Sequence, residues 1–390
     1  MRHAPSVRRL LAGCKAFATE KHAEIPIPGY HRESMFRNTL VTGGAGFVGS
    51  TLALALKSRH ADMQVVAFDN LHRRGSELSL ARLRAGGVRF VHGDIRIPED
   101  VPAAGPFDLL LDCSAEPSVL AGIGESPAYV TQTNLLGTLN CLEAARRHSA
   151  CLLFLSTSRV YPIEPMRRIP LVEDESRFEI DGARCEGPGL SAAGIAEDFP
   201  LTGARSIYGT TKLASELFAI EYADSYGVPA IIDRCGVLTG PWQMGKVDQG
   251  IVVHWVASHF FGRPLRYIGY GGSGKQVRDI LHVDDLVALV ERQLKVLPSA
   301  HGEIYNVGGG RSCSVSLREL TGLCQRATGK TVEIQPVAEV RAADIPVYLS
   351  NTERVRRAFD WAPAYTPEPI VTQIAQWVSQ HAAELEAVTG

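Results

Sequence analysis

Ten residues near the start of the chain constrain its fold more than any others: Leu40-Val-Thr-Gly43-Gly44-Ala45-Gly46-Phe47-Val48-Gly49. A β-rich apolar run, 39–42, leads in, and an amphipathic stretch, 50–58, leads out. Gly43, Gly46 and Gly49 recur every third residue between them. Glycines in a strand-to-helix turn allow a tight bend, close backbone approach to a pyrophosphate, and close packing of helix on strand. The helix start then offers free N–H groups and a partial positive charge to phosphate. Asp69, twenty residues past Gly49, ends the next apolar run. A carboxylate there accepts hydrogen bonds from both ribose hydroxyls and repels a 2′-phosphate, which favours NAD over NADP.

The rest of the first half repeats this alternation. Near-continuous apolar runs fall at 39–42, 64–68, 88–92, 109–113, 151–156 and 229–233, as parallel strands covered on both faces require. Helical stretches at 50–58, 134–149 and 212–226 lie between them. The expected fold class is therefore α/β, a doubly wound parallel sheet of Rossmann type. From about Gly236 strands shorten and Gly and Pro become frequent, while helices fall at 316–328 and 367–381. A chain of 390 residues accommodates one large domain and a smaller one. The expected division is a cofactor domain over 36–235, with 279–297 returning to it, and a C-terminal substrate-binding lobe over 236–390. The charged, Pro- and Gly-rich segment 162–206 is too long for a passive connection and reads as a lid.

A net charge of −2 gives no reason to expect nucleic acid or an anionic membrane as partner. The eight cysteines are scattered without a CxxC pair, so reduced thiols, no metal and a cytoplasmic location are expected. No apolar run approaches the roughly 18 residues of a membrane span. Residues 1–35 read as a poorly ordered extension, with Met35 an alternative start.

Tyr208-Gly-Thr-Thr-Lys212 opens a helix and puts a phenol and an ammonium one turn apart on one face. Phenol is a poor base near neutral pH, its ordinary pKa being about 10. A nearby ammonium and a positive nicotinamide ring would lower that value, so that Tyr208 takes a hydroxyl proton as hydride leaves the same carbon. A bridging hydroxyl is expected where β-strand 151–156 ends, at Thr157 or Ser158. Asp94, ending the third strand, either bonds adenine or caps the next turn. Phe47, Val48, Asn70 and Ile95 flank these positions and join Gly43, Gly46, Gly49, Asp69 and Asp94 as candidate cofactor contacts.

Together these elements resemble the extended short-chain dehydrogenase/reductases that act on nucleotide sugars, over residues 38–380. Longer phrases are similar to the CDP-paratose (CDP-tyvelose) 2-epimerase group: the run from Phe68 to Leu78, Phe90 to Arg96, Ser156 to Tyr161, Asp248-Gln249-Gly250, and Gly274 to Asp279. The resemblance implies a tightly held NAD, a nucleotide-sugar substrate, hydride transfer at Thr157, Tyr208 and Lys212, and a homodimer. It also implies that Arg278 grips the diphosphate, unless an acid pairs with it, and that Gln249 and Ser158 face the substrate. The chain departs from relatives at Pro162, at Glu116 in place of a frequent glutamine, and at Pro346, where a second arginine is common. Sugar 4,6-dehydratases carry an Asp-Glu pair after the catalytic threonine; Ser158-Arg159 stands here, which disfavours water elimination. A nucleotide-sugar 4-epimerase of the UDP-glucose or UDP-uronate type and a non-catalytic NAD sensor remain alternatives.

Overall fold

The computed structural model describes residues 35–245 and 249–389. The rest of the expected N-terminal extension, 1–34, and Asp248 lie outside the described residues. Seven strands form the central sheet: β1 (Asn38–Thr42), β2 (Gln64–Asp69), β3 (Arg89–His92), β4 (Leu109–Asp112), β5 (Cys151–Thr157), β6 (Ala230–Cys235) and β7 (Glu303–Val307). They pair in the order β7-β6-β5-β4-β1-β2-β3, every neighbour parallel. Burial on both faces explains the apolar runs. Leu52, Leu56, Leu286 and Val290 cover one face from the helices Phe47–Arg59 and Val283–Gln293. Leu142, Ala145, Ala219 and Ala223 cover the other from Gly137–His148 and Ile207–Tyr226. Strand order reverses between β1 and β4, and the crevice beyond their C-terminal ends is where such sheets bind ligands.

β7 was not among the expected strands. The return to the large sheet runs past 297, because Glu303-Ile-Tyr-Asn-Val307 closes its edge beside β6. Glu303 and Asn306 break up its apolar run and conceal it, and Asn306 serves the fold: its side chain accepts from the Tyr161 hydroxyl at 2.8 Å and donates to the Ile195 carbonyl at 2.8 Å. A smaller sheet joins Val237–Thr239, Val277–His282, Ser314–Ser316 and Val347–Tyr348. Helices Ile251–Phe261, Leu317–Thr328 and Pro367–Gln380 share one apolar cluster around Trp255, Leu320 and Trp377.

The segment 162–206 is a folded buttress rather than a loose lid. It contains the hairpin Leu171–Glu173/Phe178–Ile180, and its Met166, Ile169 and Ile180 pack with Val347 and Leu349. Backbone bonds from Ile195 N to Leu349 O and from Asn351 N to Ile195 O, each 2.8 Å, stitch it to the C-terminal part of the chain. The seven cysteines among the described residues are all free.

Asp233, on β6, makes the fold pH-sensitive. Its side chain is fully buried, one oxygen accepts from Gln293 Nε2 at 2.7 Å, and the other has no partner. Burial pushes this carboxyl up to about 7. Since the folded value lies above the unfolded one, its favourable contribution is complete below about pH 4 and is lost as pH rises toward 7. Asp233→Asn is expected to be more stable than the parent at pH 8 by on the order of 2–4 kcal/mol, with the gap closing toward pH 4. Urea midpoints at the two pH values check this; a gap independent of pH would refute it.

Candidate active site

The glycine turn leaves no room for side chains. Gly43 has a left-handed φ of +62°, and a Cβ there would lie 2.8 Å from the Cys113 carbonyl oxygen of the neighbouring strand end. A Cβ at Gly49 would lie 2.2 Å from the Gly43 oxygen, so helix and turn touch backbone to backbone. Gly46 precedes the helix Phe47–Arg59 without a side-chain cap, which leaves the first-turn N–H groups available. Asp69 ends β2 with one oxygen accepting from Ala45 N at 3.1 Å and the other from Leu71 N at 2.8 Å. Burial raises its pKa against those bonds. A cleft of about 560 Å³ runs beside Gly43, Gly46, Asp69, Asn70 and Ile95. The cradle thus fits a dinucleotide: backbone for the pyrophosphate, and the Asp69 carboxylate for a ribose.

Asp94 is otherwise engaged. Arg96 Nη2 donates to it at 2.6 Å, Asn70 Nδ2 at 3.0 Å and Arg96 N at 2.9 Å. Hydrogen bonds from Arg96 hold the carboxyl well below the usual range. Of its two expected roles, the turn cap is the one these bonds display. Gly93 and Ile95 on either side of it line the cleft.

The cleft continues into a cavity of about 350 Å³ that brings together Phe47, Val48, Thr157, Ser158, Tyr208 and Lys212. Thr157 is the last residue of β5, abreast of Cys235 on β6. Tyr208 stands in the first turn of Ile207–Tyr226, whose start is fixed by Ser206 Oγ accepting from Gly209 N at 3.2 Å. Gly209 is required there, since a Cβ would lie 2.1 Å from the Arg159 carbonyl oxygen. The Thr157 side chain lies near enough to the Tyr208 phenol to pull its pKa down, so of the two candidate hydroxyls Thr157 is the one that acts on it. Lys212 is buried with Nζ 4.0 Å from the centre of the Phe154 ring.

Electrostatics here depart from the expectation. Burial raises the pKa of Tyr208, while the Thr157 side chain and the charge of Arg159 pull it down. Burial also lowers Lys212, opposed by the charge of Asp112. Desolvation of the phenol therefore outweighs the help the chain itself supplies.

Gln249 sits on the cofactor side rather than beside Arg278. Its Nε2 donates to Glu116 Oε1 at 3.0 Å, and its Oε1 accepts from Arg73, whose Nη2 also reaches the Met244 carbonyl at 2.9 Å. Arg278, on Val277–His282, donates to Asp344 Oδ1 and to the Ile345 carbonyl, both at 2.7 Å. The adjacent Asp279 is fully buried and accepts instead from Gly310 N and Ser350 N. Arg278 lines a third cavity, about 590 Å³, which it shares with Arg159. Sequence reasoning used Arg159 only to argue against dehydration and assigned no site role to Arg73; both line the cleft. Their signals were position, two residues past Thr157 and four past Asp69.

A parallel seven-stranded sheet, a glycine cradle with a ribose-binding acid, and a Thr–Tyr–Lys cluster at the strand ends define an enzyme of the short-chain dehydrogenase/reductase type. The chain belongs to the NAD dependent epimerase/dehydratase family, whose model matches residues 39–308. Its cofactor is NAD. It is 30% identical over 354 residues to the CDP-paratose 2-epimerase of Salmonella typhi, an alignment covering 87% of this chain and 98% of that one. It is 28% identical to a dTDP-glucose 4,6-dehydratase of Streptomyces griseus, over 89% of this chain and 95% of the relative. Among solved structures, the Thermus thermophilus UDP-glucose 4-epimerase in complex with NAD superposes with a TM-score of 0.69 at 27% identity, covering 88% and 99% of the two chains. Among the described residues no helix is long and apolar enough to cross a membrane.

Proposed function

We propose that this protein is an epimerase of a nucleoside-diphosphate sugar, working as a CDP-paratose 2-epimerase does by transient oxidation of a ring carbon. The carrying observation is that Thr157, Tyr208 and Lys212 line one cavity, set beside Ser158-Arg159 where a dehydratase needs acids. When bound, NAD supplies the hydride acceptor and a positive ring. Tyr208, with the Thr157 hydroxyl beside it, takes the hydroxyl proton and returns it once the sugar has turned its other face. Lys212, out of solvent over Phe154, holds the nicotinamide ribose and keeps positive charge near the phenolate. Gly43, Gly46 and Gly49 cradle the pyrophosphate, and Asp69 selects NAD. Ser158-Arg159 puts no carboxylic acid directly after Thr157, which disfavours elimination of water from the oxidised sugar.

The test is incubation with CDP-, UDP-, GDP- and dTDP-sugars in deuterated water, followed by NMR. Inversion at one carbon with its hydrogen retained is expected. Deuterium at the inverted carbon would mean enolisation instead, and a 6-deoxy-4-keto product would mean dehydration. The same three residues serve a 4-epimerase, so the position of inversion distinguishes that reading.

A further inference from the structure

Arg159 is placed unlike the other cations of the cleft. It is deeply set, and its remaining surface lines both the catalytic cavity with Tyr208 and the third cavity with Arg278. Among the described residues the one acceptor of its guanidinium is the Ala343 carbonyl, 3.2 Å from Nη1. A guanidinium has five N–H donors, so most of this one is unspent. Among the described residues no carboxylate pairs with it: Asp344, the acid lining the third cavity, is taken by Arg278 at 2.7 Å. Burial lowers the pKa of Arg159 to about 10, and the charge of Arg278 contributes to that lowering. Arg159 and Arg278 thus line one cavity, where Arg278 is held by Asp344 Oδ1 and by the Ile345 and Val277 carbonyls, each at 2.7 Å, while Arg159 keeps most of its donors open. An oxyanion beside Arg159 would use those open donors, the arrangement in which charge-assisted bonds are strongest.

We propose that Arg159, beside the Asp344-paired Arg278, supplies the open donors of a seat for an oxyanion of the substrate, occupied by the sugar-proximal phosphate of the nucleoside diphosphate. The seat rests on the nucleotide-sugar reading above. Arg159 reaches it from the end of β5, two residues past Thr157, so the same strand end that carries the bridging hydroxyl fixes the phosphate. That coupling sets how far the sugar extends toward Tyr208. A carboxylate on the sugar ring is the other source of the same chemistry, and the experiment separates the two.

Calorimetric titration of the NAD-loaded protein with CDP, UDP, CMP and UMP tests the seat. For whichever base binds, Arg159→Gln is expected to weaken the diphosphate by about 10- to 100-fold and the monophosphate far less. Arg159→Lys should recover part of the loss, and bound NAD should stay at the parent level. Unchanged diphosphate affinity in Arg159→Gln would overturn the proposal. If that variant instead lost only its preference for UDP-glucuronate over UDP-glucose, the occupant would be the sugar carboxylate and the phosphate assignment would fall. Failure of the parent protein to bind any nucleoside diphosphate would sink the function reading itself, a result distinct from both.

Discussion

Replacing Tyr208 by phenylalanine is expected to lower kcat by about 10²- to 10⁴-fold while the purified protein keeps its NAD. The change removes one oxygen and retains the ring, which is buried and packs at the start of Ile207–Tyr226. What is lost is the hydroxyl beside Thr157 and the route for a proton between sugar and protein. That range corresponds to about 3–5 kcal/mol of barrier. Cofactor binding should persist because the glycine turn and Asp69 lie on other elements, more than 130 residues earlier in the chain. The check is NAD released from the denatured variant together with turnover on the substrate found by the NMR panel. Parent-level turnover would rule out the mechanism, and an NAD-free variant would mean that the hydroxyl holds the cofactor, so that the loss of turnover would not report on proton transfer.

The largest expected loss of stability comes from Glu216→Ala. Glu216 lies two turns after Tyr208 on the same helix, and its carboxylate takes both Nε and Nη2 of Arg234 on β6, the latter at 2.7 Å. Ser156 on β5 donates to the same carboxylate, and Arg234 Nη1 reaches the Tyr161 hydroxyl at 3.2 Å. The Arg234 and Glu216 side chains are almost entirely buried, at 3% and 1% exposure. Removing the acid strands a guanidinium in the core, a loss of about 3–5 kcal/mol. Replacing both partners, as Glu216→Leu with Arg234→Met, should cost clearly less than the single change, because no charge is left unpaired. Urea unfolding of the three proteins measures this. A double variant no more stable than Glu216→Ala would show that packing, and not the stranded charge, governs the site. Because this pair ties the helix of Tyr208 and Lys212 to the strands of Thr157 and Arg234, the single variant should also lose activity at temperatures where it remains folded.

Local spacing made much of the molecule legible. The strand–glycine–helix turn, the acid at Asp69 and the one-turn separation of Tyr208 from Lys212 depend on residues a few positions apart, and backbone geometry dictates what such neighbours do. Apolar runs marked β1 to β6 for the same reason, since strands covered on both faces have no polar side to show. β7 escaped because Asn306 interrupts its apolar pattern, and that polar side chain is spent on partners far away in sequence, Tyr161 and Ile195. The 162–206 segment read as a lid because its charge and glycines are local facts, while its burial against Val347 and Leu349 is not.

Sequence alone thus determined six of the seven strands of the sheet, the glycine turn with its acid, and the candidate reacting groups, all set by short-range spacing. Tertiary structure alone decided their electrical state and their company. It raised the phenol by burying it, gave Asp94 to Arg96, gave Asp344 to Arg278, and left Arg159 facing the cavity with a single carbonyl. Desolvation and long-range pairing depend on what the folded chain packs around a group, and residues some 180 positions apart, such as Arg159 and Ala343, meet only once the fold has formed.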